Sequence, residues 1–405
     1  MGENTGATLI RGARQLLTLR GPKAPRRGAE LSELGLIRDG ALLIRDGILV
    51  EVGPTRRVEN LAAARDAEEI NAAGRIVMPA FVDSHTHLFV PQAGDRSNRP
   101  EDAAAAIRTS SAWLLETRTR ACLDAIVRHG AATVEVKTGC GPDVGAETKA
   151  LRVLAGLDGA AADVVPTFLL RLPEDASEIE VARIVSEVAP RIYRRGRARF
   201  ADLQWDNQAG HQDLYALYLQ MALASGLPIK LHADAPGCAG AAVLALGHRA
   251  TSVDHLEHIT PEQTKLLANS RTVATLLPAA SIYSGAPVAP ARAMIESGAA
   301  VALASNCNPQ HTPVFSMQAV IALACIQMGM TEAEAISGAT INGAHAVGLA
   351  DRIGSLEPGK DADLVLLNAD DYRQAARTLG SNLVHLTIKR GRCVYREGQI
   401  ERTPK

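Results

Sequence analysis

Aromatic residues are scarce in this 405-residue chain: five Phe, six Tyr and two Trp. A surface built to stack bases or sugars needs more. An excess of charge of either sign is missing too. Forty-three Lys and Arg face 44 Asp and Glu, a net charge of −1, so no global field draws nucleic acid or an anionic membrane. Long apolar runs are absent. The longest clean run toward the C-terminal half, Ala319–Ile326, has eight residues, against the ~20 a membrane helix needs. Met1–Arg20 holds no continuous apolar stretch, so no signal peptide is expected. Six cysteines, Cys122, Cys140, Cys238, Cys307, Cys325 and Cys393, never fall as CxxC, which speaks against a zinc ribbon or a disulfide framework. The expectation is a cytoplasmic protein that acts on a small molecule, with neither nucleic acid nor membrane as partner, and that forms a homodimer.

What is present is ordinary globular material. Apolar residues make up 47% and charged residues 21%, enough for a large buried core. The first ~75 residues read as β-structure, with a hairpin turning at Asp46-Gly47 between Ala41–Ile44 and Ile48–Val52;. The last ~45 read likewise, with strands at Leu364–Leu367, Val384–Ile388 and Cys393–Tyr395 and a turn at Arg390-Gly391. Between them, eight short apolar runs alternate with longer amphipathic stretches. The runs are Ile76–Val82, Thr133–Val136, Val164–Leu170, Ala198–Leu203, Pro228–Leu231, Thr251–Val253, Val273–Leu277 and Ala300–Ala304. The helical candidates include Ala103–Arg128, Ser177–Arg195 and Ala335–Val347, the last opened by a Thr331/Glu334 capping box;. Eightfold strand–helix alternation predicts an α/β protein, a (β/α)₈ barrel. The expected division is residues 78–350 for the barrel, flanked by β-rich segments at 1–77 and 351–405.

In such a barrel, chemistry belongs at the C-terminal strand ends. Those ends carry Asp83-Ser84-His85-Thr86-His87, Lys137-Thr138-Gly139-Cys140, Gln204-Trp205-Asp206, His232-Ala233-Asp234, Asp254-His255 with Glu257-His258, and Ser305-Asn306-Cys307-Asn308. His85 and His87 are two apart, so on an extended segment both imidazoles face one side. They can share a borderline cation such as Zn²⁺, and His232 and His255 can converge on the same point.

The segments MPAFVDSHTHLFV (78–90), EVKTGCG (135–141), LHAD (231–234), VDHL (253–256), ASNCNP (304–309) and GSLEPGKDADLVLLN (354–368) carry a resemblance. The chain resembles the amidohydrolase superfamily of metal-dependent hydrolases, and within it the imidazolonepropionase group. The resemblance implies a distorted barrel with a small β-sandwich built from both termini. It implies one divalent metal ion, zinc first and iron or manganese next, held by His85, His87 and His232. It makes His255 the catalytic histidine and sets Lys137 in the catalytic pocket.

Several positions depart from that pattern. Where the family has a metal-binding, proton-accepting Asp after strand eight, this chain has Asn306, and a carboxamide cannot take a proton from water near neutral pH. Ala235 stands for a Glu, Cys140 for a substrate-contacting Tyr, and Leu172 near an expected His. Arg96 is the candidate for a substrate carboxylate, and Cys140, Asp206, Asn308 and His311 complete the expected substrate contacts. Asp206, Asp234, Glu257 and His311 are the alternative bases. Three functions follow: hydrolysis of a C–N bond in a small cyclic amide, a non-hydrolytic cyclase that closes a heterocycle by loss of water, or a silent binding scaffold.

Overall fold

The computed structural model describes residues 6–89, 99–157, 161–172, 176–195, 197–205, 211–233 and 240–400. Eight parallel strands form the central sheet: Phe81–Thr86, Ala131–Lys137, Asp163–Leu170, Phe200–Gln204, Ile229–Ala233, Ser252–His255, Val273–Leu276 and Ala300–Leu303. These are barrel strands one to eight. All eight are nearly wholly buried, as expected when helices cover the outside and side chains fill the inside. The last strand closes on the first through the segment that follows it. Thr86 and Cys307 form a parallel bridge, the Asn306 amide donates to the His85 carbonyl at 3.1 Å, and the His87 amide donates to the Cys307 carbonyl at 2.8 Å. Asp83 receives both the amide and the hydroxyl of Ser305.

The run Ile76–Val82 is two strands rather than one. Ile76–Pro79 leaves the barrel and pairs antiparallel with Leu364–Leu367, and barrel strand one begins only at Phe81. Ala103–Arg128 likewise divides into Pro100–Thr109 and Ala112–Arg128, because the Ser111 side chain accepts from the Leu114 amide and starts a new helix;. The capping box at Thr331 and Glu334 is formed in full. No helix among the described residues is long and apolar enough to cross a membrane.

Both termini build the second sheet. Its order is Gln399–Ile400, Arg392–Arg396, Val384–Lys389, Leu364–Leu367, Ile76–Pro79, Ala7–Leu17, Leu36–Arg45 and Ile48–Pro54, with Glu68–Asn71 added beside Ala7–Leu17. It is one continuous sheet curled on itself. Leu42, Ile44 and Leu49 from one end share an apolar core with Leu386 and Ile388 from the other. The turns at Asp46-Gly47 and Arg390-Gly391 have positive φ at both central residues, as the tight two-residue hairpin demands.

The two sheets lean on each other. Met78, Val365, Leu367 and Val384 belong to the same buried cluster as Ile126 and Val127 of the barrel, and the Thr387 hydroxyl donates to the Val127 carbonyl at 3.0 Å. A fragment of residues 79–350 should therefore aggregate rather than fold, because it uncovers this apolar face. A soluble fragment with a single cooperative thermal transition would contradict that division of labour.

Candidate active site

At the C-terminal end of the barrel four imidazoles crowd together. His85 sits on barrel strand one, and His87 follows it. His232 is on strand five and His255 ends strand six. The His85 ring centroid lies 5.1 Å from that of His87, 4.5 Å from His232 and 5.5 Å from His255. The Nε2 atoms of His85 and His87 are 3.2 Å apart. Ligand atoms of His85, His232 and His255 fall within 4.8 Å of one another.

Carboxylates stand behind two of these rings. His85 Nδ1 donates to Asp254 Oδ2 at 2.7 Å, a bond that fixes the tautomer with its Nε2 lone pair turned to the centre. His232 Nδ1 lies 3.0 Å from Asp202 Oδ2, though out of line for a hydrogen bond, and its Nε2 has no hydrogen-bond partner. Burial, reinforced by neighbouring positive groups, holds the His85 and His87 imidazoles well below the usual histidine range, and burial also lowers His232. All three are neutral at pH 7. Neutral imidazoles aimed inward, two of them with a carboxylate behind the ring, are a donor set that suits a divalent ion, so the residues present fit a metal.

The backbone here is bent to hold these groups. His255, Leu256 and Asn306 all have positive φ, at 82°, 69° and 52°, uncommon for residues other than glycine. His255 Nδ1 faces Glu257 Oε1 at 3.3 Å. Next to the imidazoles opens a cavity of about 240 Å³ whose wall includes Lys137, Cys140, Arg99, Arg171, Asn306, Asn308 and His311. The Cys140 thiol is pushed well above its ordinary range by burial, so it is no nucleophile near neutral pH. Its loop is tied down by Glu147, which accepts from the Gly139 and Cys140 amides. Gly139 itself has φ +123°, and a Cβ there would stand 2.9 Å from the Arg171 side chain. Asn308 shapes the next loop by accepting from the Gln310 amide and pairing with Thr312.

Of the sequence-based candidates, His85, His87, His232, His255, Lys137, Cys140, Asn306, Asn308 and His311 come together here. Arg96 and Asp206 lie outside the described residues, as do Asp234 and Ala235. Reasoning from sequence missed Arg171 and Arg99 on the cavity wall. It also missed the buried groups Glu135, Asp202 and Lys230 beneath it. Their signal was there, since each is a charged residue inside an apolar strand, where an unpaired charge does not persist.

Residues 76–394 match the amidohydrolase family. The chain belongs to that family. An imidazolonepropionase of Geobacillus kaustophilus (strain HTA426) is 37% identical over 96% of the chain and 98% of its own length. One of Parabacteroides distasonis is 39% identical over 95% and 97%. Among solved structures, E. coli guanine deaminase superposes with a TM-score of 0.73 at 16% identity, covering 96% of this chain and 99% of that one. This amidohydrolase is therefore a metal-dependent enzyme that hydrolyses carbon–nitrogen bonds other than peptide bonds, its substrate a small cyclic amide. Neither a cyclase nor a silent scaffold is favoured by these relatives.

Proposed function

We propose that the substrate is a cyclic amide bearing a carboxylate, of the imidazolonepropionate kind, and that the ion is one zinc held by His85, His87 and His232 in a cytoplasmic homodimer. The observation that carries this reading is the set of neutral imidazoles, two of them backed by carboxylates, beside a cavity walled by two guanidiniums. Among the described residues no Asp or Glu lines that cavity. Guanidinium stays charged and matches a carboxylate in shape, so Arg171 and Arg99 hold the substrate's anionic end. Three imidazole nitrogens suit zinc, which supplies Lewis-acid polarisation of the amide carbonyl when bound.

The proton work falls to His255. With Nδ1–H held by Glu257, its Nε2 is free to accept. In this scheme His255 Nε2 takes a proton from the attacking water and returns it to the ring nitrogen as the C–N bond breaks, leaving an open chain with a freed N–H and a carboxylic acid that gives its remaining proton to solvent. Asn306 offers its carboxamide as a hydrogen-bonding group only.

The deciding experiment is an assay of the zinc-loaded protein on 4-imidazolone-5-propionate beside the uncharged ring lacking the propionate. We expect turnover of the first at an ordinary enzymatic rate of ~1–10³ s⁻¹ and little of the second. Glu257→Gln should lower kcat by ~10²-fold with KM within about threefold, as loss of general-base help does. Equal turnover of both rings would refute the carboxylate, and an unchanged kcat in Glu257→Gln would refute the role of His255.

A further inference from the structure

We propose that Lys137 is a positioning residue for the metal site: its ammonium clamps the two carboxylates that aim His85 and His232. This rests on the metal-site reading above. Barrel strands two, four, five and six send five ionisable side chains into the barrel: Glu135, Lys137, Asp202, Lys230 and Asp254. Every one is fully buried. Lys137 Nζ lies 2.5 Å from Asp202 Oδ2, 3.2 Å from Asp254 Oδ2 and 3.2 Å from Glu135 Oε1. Two of the ammonium's three protons go to hydrogen bonds with Asp202 and Glu135;, and the third carboxylate, Asp254, stands at ion-pair distance.

The oxygens it touches are the informative ones. Asp254 Oδ2 also receives His85 Nδ1, and Asp202 Oδ2 also faces His232 Nδ1. Each of these oxygens is shared between Lys137 and one metal-facing histidine. Lys230 does a different job. It binds Glu135 and the Ser84 carbonyl and stands 3.9 Å from Asp254. The five groups sum to three negative and two positive charges, a surplus of one negative beside a divalent cation.

Remove Lys137 and the two shared oxygens lose the ammonium that holds them in place. Each carboxylate can then turn away from its imidazole, and the metal loosens. Glu135 loses the same donor but keeps Lys230 and the Thr167 hydroxyl, so the effect on the metal belongs to the shared oxygens.

The test uses the full-length, metal-stripped protein and Co²⁺ alone, with affinity read by chelator competition and coordination read from the visible absorption band. Lys137→Met should bind Co²⁺ about 10–100-fold more weakly, the usual cost of losing an outer partner, with an altered band. Asp202→Asn should lose a similar amount. The double variant should bind no more weakly than Lys137→Met, because removing one charge of each sign restores the balance, and such non-additivity marks direct coupling. Should Lys137→Met fail to fold, the double variant decides alone: binding within about tenfold of Asp202→Asn supports the clamp, and much weaker binding overturns it. Lys137→Met with wild-type affinity and band, or losses that simply add, would also overturn it. Wild-type protein that binds no Co²⁺ would instead remove the metal-site reading itself.

Discussion

A His85→Ala/His87→Ala variant should purify without stoichiometric metal and lose at least ~10⁴-fold in kcat/KM, a barrier increase of about 5.5 kcal/mol. Both rings meet at Nε2, 3.2 Å apart, so deleting them removes two inward lone pairs at once. A second readout separates lost metal from lost fold. Wild-type protein should gain about 2.7 kcal/mol of stability at a zinc concentration 100 times the Kd, since a ligand that binds only the folded state stabilises it by mass action. The variant should gain none, while still melting cooperatively without zinc. Some intrinsic stability will go too, because His85 is fully buried and Asp254 loses one of its partners;. A variant that still carries one metal per chain would show that the ion sits elsewhere.

Asn306→Asp should split the enzyme's behaviour by substrate charge. The new carboxylate can accept a proton from water, which general-base catalysis makes worth ~10²–10⁴-fold. Hydrolysis of uncharged activated esters or amides should rise by ~10²-fold. Turnover of a carboxylate-bearing substrate should fall, because the same charge opposes the anion that Arg171 and Arg99 attract. The backbone at this position is left-handed, a conformation Asn and Asp both tolerate;, so the exchange leaves the fold intact. Rates that rise or fall together for the two substrates would sink the idea that Asn306 tunes the site by its missing charge.

Much of this was legible in the sequence because both signals are local. Eight short apolar runs between amphipathic stretches give the barrel, and His-x-His on an extended segment gives two ligands on one side. The failures have a common physical cause. Periodicity says that Ile76–Val82 is extended and buried, but not that Ile76–Pro79 pairs with a strand some 290 residues later. Arg171 follows an apolar strand as many solvent-facing arginines do, and only the folded chain turns it inward against Gly139. Glu135, Asp202 and Lys230 look misplaced when read one at a time. They make sense as a set of opposed charges with Lys137 and Asp254, and that set exists only when strands two to six stand together in one sheet.

The pairing of Ile76–Pro79 with Leu364–Leu367 also bears on how the molecule comes into being. Contacts between distant residues are slow to form, since the loop must close before anything is gained. During synthesis the chain emerges from its first residue onward at ~5–20 residues per second. His85 and His87 therefore leave the ribosome well before the Ser305–Cys307 segment that seals the barrel against them, and the strands that cover Met78 come later still. For that interval the nascent chain carries both histidines on an unclosed sheet. Chaperone dependence should thus end only when the final ~45 residues are released, and C-terminal truncations should fail in proportion to the strands removed rather than to the distance from the active site.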